Sequence, residues 1–169
     1  MKHTPLIPLA ITNVARLAFV IAALAVLPVS AVADSVFTVV KKGSDMGDQT
    51  YSLDDLDKLT QVTVLTSNDF VDGPTRFEGP LARDVISRIG GADTGKARLI
   101  AANDYEIMVD ISEFFTYDVV LATRENGELL SRRTKGPIWL IYPMSDHPEL
   151  QDASFNARLI WQLVRMELN

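Results

Sequence analysis

"FEGPLARDVISRIGG", residues 77–91, is the most informative stretch of the sequence. A short extended piece runs into an amphipathic helix whose apolar residues recur at the spacing of one buried stripe, namely Leu81, Val85, Ile86 and Ile89. Pro80 is expected in the first turn of this helix, and Gly90 just past its end. The stretch therefore predicts a strand that leads directly into a helix packed on the core.

Short strands dominate the sequence on both sides of this helix. Runs rich in β-branched and alternating apolar residues predict strands over 35–42, 61–66, 97–102, 105–110 and 136–143. The segment 117–133 is typical of a β-hairpin, in which an apolar strand, a turn at Glu125-Asn126-Gly127 and a second strand follow one another. The segments 43–49, 68–75 and 144–152 are polar and turn-rich, and are expected to be loops.

Helices are few and short. Ser52 is the expected N-cap of a helix over 52–59, with Asp55 three residues later, and 111–115 is expected to form a helical turn. The segment 155–168 fits a helix, a strand, or a helix that runs into a strand. Many short strands with few helices favour the α+β class over a parallel α/β sheet.

The first 33 residues differ from the rest of the chain. A basic start and an apolar run over 17–28 precede the small-residue sequence "AVA" at 31–33. This pattern is typical of a secretory signal peptide with cleavage after Ala33, since the apolar run is short for a membrane span; the alternative is an uncleaved anchor helix. We therefore expect a periplasmic location and one mature domain over 34–169.

Composition narrows the range of partners and cofactors. The formal net charge is −6, which argues against binding to nucleic acid or to anionic membrane surfaces. The chain has no cysteine, and His147 is the only histidine beyond the predicted signal peptide. Disulfides are therefore excluded, and a transition-metal site made of side chains alone is disfavoured.

Four pieces of the sequence together resemble a known family. The pieces are "FEGPLARDVISRIGG" (77–91), "IAANDYEIMVD" (100–110), "VVLATRENGELLSRRTKGPIWLIYP" (119–143) and "LIWQLVRMEL" (159–168). Their order and spacing are similar to those of the molybdopterin-binding domain of the sulfite oxidase family. The resemblance implies a mixed, curved β-sheet with few short helices, and loops at one end that hold a molybdenum–pterin cofactor.

The resemblance also marks what this chain lacks. When the family's cysteine-containing loop is laid on "TVLTSND" (63–69), the molybdenum-binding cysteine falls on Thr66. A neutral hydroxyl is a poor replacement for a soft, anionic thiolate. Trp139 and Ile160 stand where the family often has basic residues that hold an anionic pterin or substrate. We expect the scaffold to be retained and the sulfite-oxidising chemistry to be absent.

Three groups of polar residues are the candidate ligand-binding residues. Thr66, Ser67 and Asn68 lie at the cofactor rim that the resemblance implies. The residues Asn103, Asp104 and Tyr105 form a second candidate loop, in which Tyr105 could stack on a ring or donate a hydrogen bond. The dense basic group of Arg133 and Lys135, with Arg132 next to them, could form an anion-binding edge. Each group also fits a plain turn or a solvated hairpin arm. The two tryptophans, Trp139 and Trp161, are expected in the core together with Phe114, Phe115 and Tyr117.

These observations favour one function and leave two others open. The favoured function is a non-catalytic sensory or accessory protein that binds a small anionic or pterin-like ligand, or a periplasmic or membrane protein partner. The first alternative is a subunit of a molybdopterin-dependent oxidoreductase that binds the cofactor without a cysteine ligand. The second is a structural subunit whose acidic surface pairs with a basic partner.

Overall fold

The computed structural model describes residues 34–169, and the predicted signal peptide lies outside the described residues. In chain order the strands are β1 Phe37–Lys41, β2 Gln49–Tyr51, β3 Gln61–Thr66, β4 Thr75–Pro80, β5 Lys96–Ala101, β6 Glu106–Asp110, β7 Val120–Ala122, β8 Arg124–Glu125, β9 Glu128–Leu129, β10 Trp139–Ile141 and β11 Leu163–Leu168. The helices are α1 Leu53–Asp57, α2 Ala82–Arg88, α3 Ile111–Thr116 and α4 Ala153–Asn156, and a 3₁₀ turn covers Pro148–Leu150. Among the described residues, no helix is long and apolar enough to cross a membrane.

The largest sheet is mixed and has five strands in the order β2-β1-β11-β5-β6. Strand β11 pairs in parallel with β1, so that Thr38 lies opposite Arg165, and in antiparallel with β5, so that Leu99 lies opposite Met166. The remaining pairs in this sheet are antiparallel. The prediction of an α+β fold with a mixed sheet and few short helices is confirmed.

Two smaller sheets lie side by side. One has the order β3-β4-β8-β9, and the other is the pair β7-β10. Strand β4 runs along β7: the Thr123 N–H donates to the Glu78 carbonyl, and the Ala82 N–H to the Val119 carbonyl, each at 2.9 Å. The approach is so close that a Cβ atom on Gly79 would lie 2.1 Å from the carbonyl oxygen of Leu121. Only glycine allows this contact.

The buried side chains form two clusters. The main cluster is built from the five-stranded sheet, α2, α3 and β10, and it contains Val85, Ile86 and Ile89 of the predicted helical stripe. The second cluster lies between β3, β4, β7 and β10 and contains Leu81, Phe77 and Trp139. In it the rings of Phe77 and Trp139 meet edge to face, with centroids 5.2 Å apart.

Local signals placed several element ends correctly. The Ser52 hydroxyl accepts a hydrogen bond from the Asp55 N–H, and the Asp55 carboxylate accepts one from the Ser52 N–H, which is the predicted capping box of α1. Gly90 follows α2 with a φ of 68°, as expected for a glycine that ends a helix. Strand β3 has the predicted bounds.

Other expectations were wrong. Pro80 is the last residue of β4, and α2 begins after Leu81, because the chain stays extended to bridge to Val120. The predicted hairpin over 117–133 is divided between two sheets: β7 pairs with β10, whereas the turn at Asn126-Gly127 joins β8 and β9. The last residue of the expected loop over 43–49, Gln49, is instead the first residue of β2.

The segment 155–168, for which the sequence left helix and strand open, is resolved into both. Helix α4 ends at Asn156, and β11 begins at Leu163. Between them Gln162 adopts a φ of 51°, a left-handed conformation that stops either regular structure. Of the irregular residues between the two elements, Leu159 and Ile160 are buried in the main cluster and Trp161 is exposed, and all three line a surface pocket.

Candidate functional site

Two adjoining pockets lie where the predicted rim residues meet the C-terminal segment. The first, called here the aromatic pocket, has a volume of about 240 Å³ and is lined by Phe70, Ala101, Asn103, Tyr105, Asn156, Ala157, Leu159, Ile160 and Trp161. The second, called the polar pocket, has a volume of about 530 Å³ and is lined by Ser67, Asn68, Asp69, Met144, Ser145, Gln151 and Asn156. Asn156 belongs to both, so the two pockets form one composite site.

Three partly exposed aromatic side chains line the aromatic pocket. The exposed fractions of Phe70, Tyr105 and Trp161 are 37%, 46% and 36%. The Phe70 and Trp161 rings meet edge to face at 90°, with centroids 5.0 Å apart. Large aromatic groups that remain exposed beside a concavity are typical of a binding site.

The turn between β5 and β6 positions Tyr105. Asp104 adopts a φ of 64°, and the Asn103 side-chain oxygen accepts a hydrogen bond from the Tyr105 N–H at 3.2 Å. The Tyr105 hydroxyl then donates to the Ala157 carbonyl across the pocket at 3.2 Å. The turn that the sequence predicted therefore brings Asn103 and Tyr105 into the pocket wall, while Asp104 shapes the turn without lining the pocket.

Trp161 is not a core residue, contrary to the expectation from the sequence. Its backbone bridges to Trp139, and its ring packs against the buried Trp139 ring with centroids 6.4 Å apart. Trp139 is fully buried, as predicted, and donates its indole N–H to the Leu159 carbonyl at 2.9 Å. The buried Trp139 ring thus supports the ring of Trp161, which remains partly exposed.

Asn68 brings an unpaired donor to the polar pocket. Its side-chain oxygen accepts a hydrogen bond from the Phe70 N–H at 2.8 Å, which orders the loop after β3. Its side-chain nitrogen is buried and has no hydrogen-bond partner among the described residues. Since buried donors are nearly always paired, this nitrogen is the unsatisfied polar atom of the lining, whereas Asn68 as a residue contributes to the pocket wall.

Asp69 and Asn156 join the loop after β3 to α4. The Asn156 amide donates to the Asp69 carboxylate at 2.6 Å. Among the described residues, Asp69 is the only one with a formal charge that lines either pocket. The composite site therefore has a negative rather than a positive electrostatic character.

Thr66 does not face either pocket. It is fully buried, and its hydroxyl oxygen accepts a hydrogen bond from the Ser145 N–H at 3.0 Å. The Ser145 hydroxyl also accepts a hydrogen bond from the Ser67 N–H at 3.0 Å. The residue at the expected place of the metal-binding cysteine thus ties β3 to the loop after β10.

The predicted basic edge is not part of the pocket lining. The Lys135 ammonium group donates a hydrogen bond to the Phe70 carbonyl at 2.7 Å and lies 4.1 Å from the centre of the Trp139 ring. Arg133 is exposed and lines neither pocket. Of the two, only Lys135 contacts the site, and it does so through the backbone of Phe70.

Arg158 also turns its charge away from the pockets. Its guanidinium pairs with Glu113 and stacks 4.1 Å from the centre of the Phe155 ring. Glu113 in turn accepts a hydrogen bond from the Tyr142 hydroxyl at 2.9 Å. Burial, reinforced by the Glu113 carboxylate, raises the pKa of Tyr142 well above its usual value, so this hydroxyl remains a donor. The network anchors the chain between Asn156 and Leu159.

The donor set does not fit a molybdenum–pterin cofactor. The chain has no cysteine, and the described residues contain no group of three or more His, Cys, Asp or Glu side chains placed to hold a metal ion. Within residues 34–169, no arginine or lysine lines either pocket, although the phosphate of a pterin cofactor calls for cationic partners. The arrangement is suited to hydrogen bonding and aromatic contact rather than to metal or anion binding.

No protein-family model and no curated protein sequence matches the chain. The structure is similar to the crystal structure of the sulfane dehydrogenase SoxCD from Paracoccus pantotrophus, with a TM-score of 0.57 and 12% sequence identity over 78% of this chain. The match covers 38% of the SoxCD chain. At this identity the similarity concerns the fold, and it agrees with the sulfite-oxidase-type fold expected from the sequence.

Several site residues were missed from the sequence. Phe70, Ser145, Asn156 and the exposed position of Trp161 were not predicted. Asn156 and Trp161 lie in the segment whose secondary structure was left open, and Ser145 lies in a polar loop with no motif. A signal was present only for Phe70, as an apolar residue inside an otherwise polar loop.

Proposed function

We propose that this chain is an exported, non-catalytic binding protein with a sulfite-oxidase-type fold, which acts as a sensory or accessory component in the periplasm. The observation that carries the proposal is the state of Thr66: the position of the expected metal-binding thiolate holds a buried hydroxyl that is engaged by Ser145. The composite site beside it has a cavity that is lined by hydrogen-bonding side chains. The site therefore has groups that can bind a small molecule, but it has no thiolate to bind molybdenum.

The site itself favours a small molecule over a large cofactor. The aromatic pocket, at about 240 Å³, is smaller than the usual range for drug-sized ligands. The ligand would place an apolar part among the aromatic rings and a polar part toward Asn68. A periplasmic or membrane protein that senses the loaded state is the partner that this role requires.

The proposal is tested on protein isolated from the periplasm of its source. We expect no stoichiometric molybdenum by elemental analysis and no fluorescent pterin after oxidative release. A molybdenum-to-protein ratio near one, or an equivalent amount of pterin, would overturn the proposal in favour of the oxidoreductase alternative. Native mass spectrometry of the same sample would reveal a retained small ligand or a co-purifying protein.

Export is tested separately. We expect the protein in the periplasmic fraction to begin at Asp34, because small residues occupy the two positions that a signal peptidase reads. Replacing Ala31 with lysine should leave an unprocessed, membrane-associated precursor. Accumulation of the unmodified chain in the cytoplasm with its first 33 residues intact would contradict the expected location.

A further inference from the structure

We propose that the aromatic pocket binds a small organic ammonium ion, with the positive head group held by Phe70, Tyr105 and Trp161. The inference rests on the proposed binding function and specifies the ligand's chemical class. It departs from the anionic ligand expected from the sequence, because the basic residues on which that expectation relied do not line the site.

The first argument is the aromatic lining. Three partly exposed aromatic side chains surround one concavity of about 240 Å³. The negative face of an aromatic ring attracts a cation within about 6 Å of its centre, and groups of such rings recognise quaternary ammonium ligands. An ammonium group with short alkyl substituents is also of a size that this volume accepts.

The second argument is charge. In the described part of the chain, Asp69 is the one formally charged residue that lines the composite site, and its carboxylate accepts a hydrogen bond from the Asn156 amide. Lys135 and Arg158, the cations of the surrounding segments, are engaged by the Phe70 carbonyl and by Glu113. A ligand cation in the aromatic pocket thus meets aromatic side chains, with Asp69 beside it in the adjoining polar pocket, whereas among the described residues no arginine or lysine lines either pocket to meet an oxyanion.

The third argument concerns the polar end of the ligand. The buried Asn68 amide has no partner among the described residues and lines the polar pocket, which adjoins the aromatic pocket at Asn156. A hydroxyl or carbonyl oxygen a few bonds from the ammonium group would meet the polar lining of this pocket, to which Ser67, Ser145 and Gln151 also belong. The site therefore suits an amino alcohol or a related compound with a cationic head and a neutral polar tail.

The ligand class is tested by isothermal titration calorimetry on the mature protein, with choline as the probe and 3,3-dimethylbutan-1-ol as its uncharged isostere. We expect one-to-one binding of choline, at least about tenfold tighter than binding of the isostere, because only the charged head gains the cation–π attraction. Sulfate at the same concentrations should give no binding. Equal affinity for the two isosteres, absence of choline binding, or preferred sulfate binding would each overturn the inference. This comparison needs no variant.

A matched pair of variants assigns the binding to the aromatic pocket. Tyr105→Phe keeps the π face and loses only the hydroxyl that donates to Ala157, so choline affinity should change less than threefold. Tyr105→Leu keeps an apolar group and loses the ring, so choline affinity should fall about tenfold or more. Equal losses of choline affinity in the two variants would show that the Tyr105 ring does not bind the cation. Thermal unfolding of both variants checks that they are folded.

A second pair tests the contribution of charge. Asp69→Asn should weaken choline binding about threefold to tenfold and leave binding of the uncharged isostere unchanged. Asp72→Asn removes the same charge from the same loop outside the pocket lining, and should have less effect. If both variants act equally, general electrostatics and not Asp69 is responsible. Failure of the ammonium class would leave the proposed binding function standing, since stoichiometric molybdenum or pterin in native protein is what overturns that function.

Discussion

The Ser145 N–H donates a hydrogen bond of 3.0 Å to the hydroxyl oxygen of Thr66, a side chain with no exposed surface. The two residues lie 79 positions apart, so this contact fixes the loop after β10 against the end of β3. Thr66, which stands at the expected position of the metal-binding cysteine, therefore has a structural role. The next residue, Ser67, is the first in this loop that lines the polar pocket.

Replacing Thr66 with valine should destabilise the protein by about 1 kcal/mol, because the Ser145 N–H would lose its acceptor in a part-buried hydrogen bond. Chemical denaturation measures the change in the free energy of unfolding. Thr63→Val is the matched control: Thr63 lies on the exposed face of the same strand, so its replacement should change stability by less than about 0.5 kcal/mol. Similar losses in both variants would contradict the structural role of Thr66.

Replacing Gly79 with alanine should destabilise the protein by about 3 kcal/mol or prevent folding. The added methyl group would overlap the Leu121 carbonyl, and the backbone of β7 cannot rotate away as a side chain could. Gly73→Ala is the comparison, since Gly73 has open space around it and a φ of 82°. That change should cost only about 1 kcal/mol through backbone strain. A smaller effect at Gly79 than at Gly73 would show that β4 and β7 are less closely packed.

The two tryptophans should respond differently to replacement by phenylalanine. In Trp139→Phe the Leu159 carbonyl loses its donor and a cavity opens beside Phe77, so we expect a loss of about 2–4 kcal/mol in unfolding free energy. In Trp161→Phe the loss should stay below about 1 kcal/mol, because the side chain is partly exposed. Acrylamide should quench the Trp161→Phe protein, which retains only Trp139, much less than the unmodified protein. Equal quenching would place both indoles at the surface.

The capping box of α1 predicts a pH-dependent contribution to stability. Hydrogen bonds from the Ser52 side chain, followed by those from Lys58, lower the pKa of Asp55 from 3.8 to about 2. Since the folded state favours the carboxylate, the contribution is complete above pH 3.8 and is lost as the pH falls through about 2. NMR titration of the Asp55 carboxyl group should show its pKa rising toward the usual value in Ser52→Ala. A larger rise in Lys58→Ala than in Ser52→Ala would reverse the order of these two causes.

The sequence predicted well those features that depend on neighbouring residues. Strand β3, the capping box of α1, the glycine after α2 and the Asn126-Gly127 turn each follow from local residue types, and the structure contains all four. The partner of β7 could not be inferred in this way, since all three of its residues are buried and carry no alternation that would fix a face.

The composite site was only partly predictable. Ser67, Asn68, Asn103 and Tyr105 were identified as rim residues, and they do line the two adjoining pockets. Their common neighbour Asn156 lies 87 residues beyond Asp69, its hydrogen-bond partner, and no local pattern links two such positions. The basic residues at 132–135 were interpreted as an anion-binding edge because the sequence shows their charge but not their contacts. The structure shows that Lys135 is engaged by a backbone carbonyl and an aromatic ring.

The position of β11 has a consequence for the order in which the protein folds. This strand, formed from the end of the described chain, lies between β1, at its beginning, and β5. The middle of the largest sheet can therefore close only after almost every other residue has become available, and pairing across such a separation is slow. Until then β1 and β5 present unpaired edges, which are prone to association with other chains. Removal of residues 163–168 would thus divide this sheet in two rather than shorten its edge.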